Sequence, residues 1–229
     1  EMRAILKQRV NEKSSLEYGA NFVLYNLDRG TVLPFGEKSL ISKVELGEER
    51  GIESALFISD SYDIATRLNL NIGFRYTLFT PIGPATILNY QSGKPRDILY
   101  ITDTLNYGNK VIRYFHEPDI RLALNFQTDE YGSVKLAFNQ MHQNLFMLNT
   151  NISLAPNTQW KLADYHLAPS QNNQISLGVF RSLINYGLES SLEVFYKGTS
   201  NYTEFKEGAD FLRNTNVEPS VLQGKQKSY

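Results

Sequence analysis

The run Leu68-Asn69-Leu70-Asn71-Ile72-Gly73-Phe74-Arg75-Tyr76-Thr77-Leu78 places an apolar residue at every even position and a polar residue or glycine at every odd one. Successive side chains of a strand point to opposite faces, so this run has one apolar face and one wet face. Its length matches the roughly 9–11 residues with which a tilted strand crosses a bilayer. Soluble strands are usually nearer five or six residues. Three further stretches repeat the pattern. Ile120, Leu122, Leu124 and Phe126 alternate with Asp119, Arg121, Ala123 and Asn125; Val134, Leu136 and Phe138 oppose Lys135, Ala137 and Asn139; Leu188, Leu192, Val194 and Tyr196 oppose Glu189, Ser191 and Glu193.

The connections carry as much information as the strands. Eight strands are expected, over 2–10, 16–26, 50–59, 66–79, 118–127, 132–142, 174–183 and 188–198. Strands one and two, three and four, five and six, and seven and eight join through short segments of Asn, Asp, Gly and Ser, which have hairpin length and chemistry. The alternate joins are far longer, and a long polar stretch follows strand eight. Short turns at one end and long loops at the other are the asymmetry of an outer-membrane barrel. The expected fold is therefore all-β, an antiparallel up-and-down transmembrane β-barrel wall of about eight strands. The polar alternates should face the lumen, and Leu68, Leu70, Ile72, Phe74, Ile120, Leu122, Leu124 and Phe126 should face lipid. Tyr62, Tyr131 and Tyr186 near the short turns, with Phe22, Tyr25, Phe79, Tyr114 and Phe115 near the other strand ends, are expected to form aromatic girdles at the two headgroup levels.

Composition narrows the chemistry. A formal net charge of −1 gives no reason to expect a nucleic-acid partner, and the absence of cysteine removes disulfides and thiolate metal sites. No run of 18 apolar residues marks a membrane helix, and Glu1 opens polar sequence with no signal peptide in view. Neither a phosphate-binding glycine loop nor a nucleophile elbow occurs, and His116, His142 and His166 are too scattered for a helical zinc pair, so neither enzyme activity nor a cofactor is expected. Glu189 and Glu193 lie about 13 Å apart along a strand, too far for paired carboxylate chemistry. They read as lumen charges, with Arg75, Arg121 and Lys135 as opposite partners. Glu48-Glu49-Arg50 reads as a solvated loop end. The loop residues Tyr90, Tyr100, Tyr107, Trp160, Tyr165 and His166 are candidates to stack on a ligand, because loops on a rigid scaffold carry binding functions.

Four segments resemble a known family. They are Arg50-Gly51-Ile52-Glu53-Ser54-Ala55-Leu56-Phe57-Ile58 with the run 68–78, then Glu117-Pro118-Asp119-Ile120-Arg121-Leu122-Ala123-Leu124, then Gln174-Ile175-Ser176-Leu177-Gly178-Val179-Phe180-Arg181, and finally Leu192-Glu193-Val194-Phe195-Tyr196-Lys197. In this order they resemble the barrel of TonB-dependent outer-membrane receptors, particularly the Bacteroidetes type. The resemblance implies a 22-stranded barrel plugged by an N-terminal domain, in the bacterial outer membrane, taking up a nutrient ligand. Its implied partners are outer-membrane lipid, the rest of the receptor barrel and plug, the TonB system acting through that plug, and a surface lipoprotein. A plug domain and the remaining strands are absent from this sequence, and Lys225–Tyr229 falls where a ninth strand would begin. Residues 1–229 are thus expected to be the middle part of one β-barrel domain. The alternatives are a complete eight-stranded barrel with a structural or adhesive role, and a soluble β carbohydrate-binding module.

Overall fold

A computed structural model describes residues 1–36, 38–40, 42–148, 159–206 and 215–229. Nine long strands build one antiparallel sheet: β1 (Met2–Arg9), β2 (Ser14–Asp28), β3 (Glu48–Ala65), β4 (Leu68–Ile82), β5 (Phe115–Asp129), β6 (Gly132–Gln143), β7 (Ser170–Leu183), β8 (Leu188–Phe205) and β9 (Val221–Ser228). Each strand pairs with its sequence neighbours, so the topology is up-and-down throughout. The tight turns β1–β2, β3–β4, β5–β6 and β7–β8 lie at one end. At the last of them Gly187 takes a left-handed φ of 61°, where a Cβ would be strained. Long connections lie at the opposite end. Three of them carry short hairpins of their own: Thr31–Val32 with Val44–Glu45, Ala85–Tyr90 with Ile101–Tyr107, and Leu145–Leu148 with Gln159–Leu162.

Register confirms the two faces. Tyr18, Ile58, Phe74 and Ile120 stand side by side across β2 to β5, and Leu70, Leu124, Leu136, Leu177 and Val194 across β4 to β8. This apolar face is uncovered, with Leu56, Ile58, Ile72, Phe74, Leu136, Leu177 and Val194 all exposed. A continuous apolar surface of this extent needs an apolar medium, which is the outward face of a membrane barrel. The other face carries Gly73 beside Arg121 and Asn139, and Asn69 beside Asn125 and Lys135, as the alternation implies.

Two expectations are corrected and one alternative is set aside. Among the described residues the sheet has nine strands, and the ninth begins at Val221, four residues before the expected start at Lys225. Strand eight pairs with β7 and β9 and not with β1, so it does not close an eight-stranded barrel. The girdle assignment fails at one end for three of five residues. Phe22 and Tyr114 are exposed, but Phe79 and Phe115 are buried and Tyr25 packs against their cluster. Tyr25, Phe79 and Phe115 have the parity of the wet face, and their rings meet inside: Tyr25 edge-to-face with Phe79 at 6.0 Å, Phe79 stacked on Phe115 at 6.3 Å.

Candidate functional site

The buried core does not lie along the barrel. It sits at the long-loop end, where Phe79 and Phe115 of the inner face meet Phe146, Leu148, Leu162, Ala163, Leu167 and Val217 from the loops. The loops therefore fold inward over the mouth, drawn by inner-face aromatics that would otherwise line a wet lumen. Gly51 allows the contact. A Cβ there would stand 3.0 Å from the Phe79 ring and 3.6 Å from Leu162 Cδ1.

Charged groups fix the loops once they arrive. Lys161, on the second strand of the 145–162 hairpin, is buried and holds Glu49 of β3 at 3.0 Å and Asp164 at 2.5 Å. Burial opposes the Lys161 charge, but Asp164 and Glu49 outweigh it and hold the ammonium above the ordinary lysine range. Burial likewise acts to raise the Asp164 carboxyl, and Lys161 overrides it and pulls it below the usual carboxylate range. The remaining acceptors are also used. Glu49 Oε2 accepts the Leu162 amide at 2.8 Å, and Asp164 Oδ1 accepts the His166 and Leu167 amides at 2.8 and 2.9 Å. Glu49 is thus no solvated loop end; it receives the loop.

A second cluster lies below, on the inner wall. Arg75 Nη2 donates to Glu53 at 3.1 Å, the Tyr25 hydroxyl donates to Glu53 at 3.0 Å, and Asn144 Nδ2 donates to Glu117 at 3.0 Å. His142 Nδ1 meets Asp119 at 2.7 Å. Arg75 is therefore committed to Glu53 and not to Glu189 or Glu193. Lys135 sits 4.6 Å above the Phe180 ring.

Between the loops and the rim of β3 and β4 is a cavity of about 500 Å³. Its walls include Arg29, Glu49, Ile87, Lys161, Leu162 and Glu218. Glu218 is buried, which pushes its carboxyl up to about 7, with Asp164 adding to the rise. Arg29 donates Nη1 to the Thr215 carbonyl at 2.9 Å, tying the first loop to the last.

The six loop residues singled out from sequence separate into two groups. Tyr90, Tyr165 and His166 come together: the His166 ring lies 5.6 Å from Tyr90 and 4.9 Å from Tyr165. His166 Nε2 reaches the Leu88 carbonyl at 2.8 Å and stands 3.6 Å from Glu218. Burial holds the imidazole below its ordinary pKa. Trp160 stands apart and exposed, opposite Met147; Tyr100 lies under Lys94, and Tyr107 pairs with Ala85 at the base of its hairpin. None of the six lines the cavity. The residues that do, Arg29, Glu49, Lys161 and Glu218, escape a search for stacking aromatics. One local signal existed: Asp164-Tyr165-His166-Leu167 is an Asx-type turn, in which Asp caps amides two and three residues on. Among the described residues no group of three His, Asp or Glu side chains is placed to hold a metal.

Comparison with known proteins gives the fold a place. No protein-family model and no curated protein sequence matches the chain. Solved structures do. The FrpB iron transporter from Neisseria meningitidis matches with a TM-score of 0.54 at 11% identity, over 90% of this chain and 29% of that one. The ferric-catecholate import receptor Fiu from E. coli matches with a TM-score of 0.53 at 15% identity, over 93% of this chain and 31% of that one. The chain shares the barrel-wall fold of these two proteins and spans less than a third of the length of either.

Proposed function

We propose that this chain is part of the wall and mouth of a TonB-dependent receptor of the bacterial outer membrane, of the Bacteroidetes type, that imports a nutrient ligand. The single observation that carries the reading is a two-faced nine-stranded sheet whose long loops fold over the inner face at one end. The likeness to two import receptors over nine-tenths of the chain supports it. On this reading the apolar face meets outer-membrane lipid. Among the described residues β1 and β9 pair on one side only, and each unsatisfied backbone group in hydrocarbon costs several kcal/mol. Further strands of the same barrel must therefore flank them, with a plug domain inside and the TonB system acting through it. The loop end faces outward, where a surface lipoprotein can deliver ligand, and Trp160 and Tyr100 supply stacking surfaces near the entrance. Tyr90, Tyr107, Tyr165 and His166 brace the loops that form the ligand site. The role is transport, without catalysis.

The test uses the full-length protein in cells. Small epitopes placed in the loop at 92–95 and in the turn at 130–131 are probed on intact cells. The first should be labelled and the second should not, and uptake should stop when the inner-membrane proton gradient is dissipated. Recovery in the soluble fraction, or labelling of the turn alone, refutes the reading.

A further inference from the structure

Arg29 meets the cavity with its hydrogen bonding unfinished. Its Nη1 is satisfied by the Thr215 carbonyl, but Nε and Nη2 are shielded from solvent and find no acceptor. Two carboxylates that act on Arg29 through space, Glu49 and Asp164, do not supply one: their oxygens are engaged by Lys161 and by the amides of Leu162, His166 and Leu167. A buried guanidinium donor left without an acceptor carries its full desolvation penalty, which a new bond removes. Arginine also presents its donors as a planar fork suited to two oxygens of one anion. Glu218, which also lines the cavity, has its Oε2 buried without a hydrogen-bond partner, 3.6 Å from His166. Leu46, Ile87, Leu162 and Val217 supply apolar wall.

We infer that this cavity binds a small organic anion, a carboxylate or phosphate on an apolar body, seated on Arg29 through Nε and Nη2. The inference rests on the receptor reading and names the chemical class of ligand its mouth takes. The apolar body lies against Ile87, Leu162 and Val217, and a hydroxyl or amine at its other end meets Glu218. Lys161 contributes no further donor, because its three N–H groups are spent on Glu49, Asp164 and the Leu162 carbonyl.

The full-length protein in detergent micelles is titrated calorimetrically with benzoate, phenyl phosphate and the uncharged isostere benzamide. Heat-modifiable migration on gels reports that the barrel is formed. The wild type should bind benzoate or phenyl phosphate saturably, and the stronger of the two identifies the anion. Benzamide should not bind. Arg29→Gln should weaken the bound anion roughly tenfold or more, the loss of a charge-assisted bond, and Arg29→Lys should recover part of it. Lys13→Gln, which removes an equal charge from an exposed position in the tight β1–β2 turn at the opposite end, should change nothing. A folded barrel that binds neither anion, or that binds benzamide equally well, overturns the inference and leaves the receptor reading standing. So does an Arg29→Gln barrel that keeps wild-type affinity. If Arg29→Gln does not fold, the Arg29→Lys comparison decides: unchanged affinity and unchanged anion preference overturn it. Failure of the wild type to form any barrel overturns both.

Discussion

Replacing Lys161 by Met tests whether the loops are held down by charge. The Lys161 side chain is 5% exposed and its partners Glu49 and Asp164 are 17% and 14% exposed. Methionine fills the same space and removes the ammonium, which leaves two carboxylates facing each other in a mostly dry site. Breaking a buried pair by removing one partner costs about 3–5 kcal/mol. Both carboxylates keep a little solvent and their amide donors, so the low end, about 3 kcal/mol, applies here. The loss falls on loop docking and spares the wall. Hydrogen exchange reads it directly: the Leu162 amide is bonded to Glu49 and the Ala163 amide to the Asn144 carbonyl. In the full-length protein these two amides should exchange roughly a hundredfold faster, while amides of β4 and β5 keep their rates. A second change, Glu49→Gln, made on top of Lys161→Met should restore part of the protection, because it removes one of the two stranded charges. Unchanged exchange at Leu162 and Ala163 refutes the reasoning, since the triad would then be an ornament on a loop held by apolar contacts alone.

Three further outcomes follow from the same structure. Ile72→Arg puts a charge on the outward face and should destabilise the barrel in lipid by about 2–4 kcal/mol if it lies near mid-membrane. Asn71→Arg on the opposite face should cost far less, and equal losses in reversible unfolding would show that the faces are reversed. Phe79→Ala removes a fully buried ring from the loop core and should cost about 3–5 kcal/mol, seen as faster proteolysis of the 144–169 loop; an undisturbed loop would return Phe79 to a girdle role. Glu218→Gln isolates one titration. The Glu218 carboxyl is raised from 4.5 to about 7 in the folded protein, so its contribution is fully present below pH 4.5 and is lost as pH rises through about 7. Protease resistance of the loops in the variant should therefore gain on the wild type as pH climbs across that window, and a ratio independent of pH sinks the assignment.

Most of the wall was legible and most of the mouth was not. Period-two alternation in 68–78 and 118–127 depends only on which medium each face meets, so a single sequence reveals it. The start of β9 was placed four residues late because Leu222-Gln223-Gly224-Lys225-Gln226-Lys227 has almost no apolar side chains to alternate, and its strand is set by pairing with β8. The girdle error has a sharper cause. Tyr25, Phe79 and Phe115 lie at strand ends, as girdle residues do, but they share parity with Glu53, Arg75 and Asp119. Parity decides the face and position along the strand does not. The cavity residues were invisible for another reason. Arg29, Glu49, Lys161 and Glu218 come from four separate segments, and each alone resembles a solvated surface charge.

The placement of aromatics and charges obeys one rule. Along the middle of the sheet the inner face is mostly polar, with Asn71 beside Ala123, and Gly73 and Asn139 on either side of Arg121. Its rings Phe57 and Phe180 lie under Arg3 and Lys135, so little apolar surface is offered there for a loop to bury. At the rim the same face turns aromatic, and the loops fold in over it. Hydrophobic burial is non-directional; it draws the loops over the mouth without fixing their register. Lys161 with Glu49 and Asp164, Asn144 with Glu117, and His166 with the Leu88 carbonyl supply the directional contacts that select one arrangement. Buried polar groups are costly when unpaired, so a mouth latched this way resists alternative packings more than it gains in stability. Arg29, with Nε and Nη2 unpaired, and Glu218, with Oε2 unpaired, are groups that this latch leaves open, at the place where an incoming ligand would finish them.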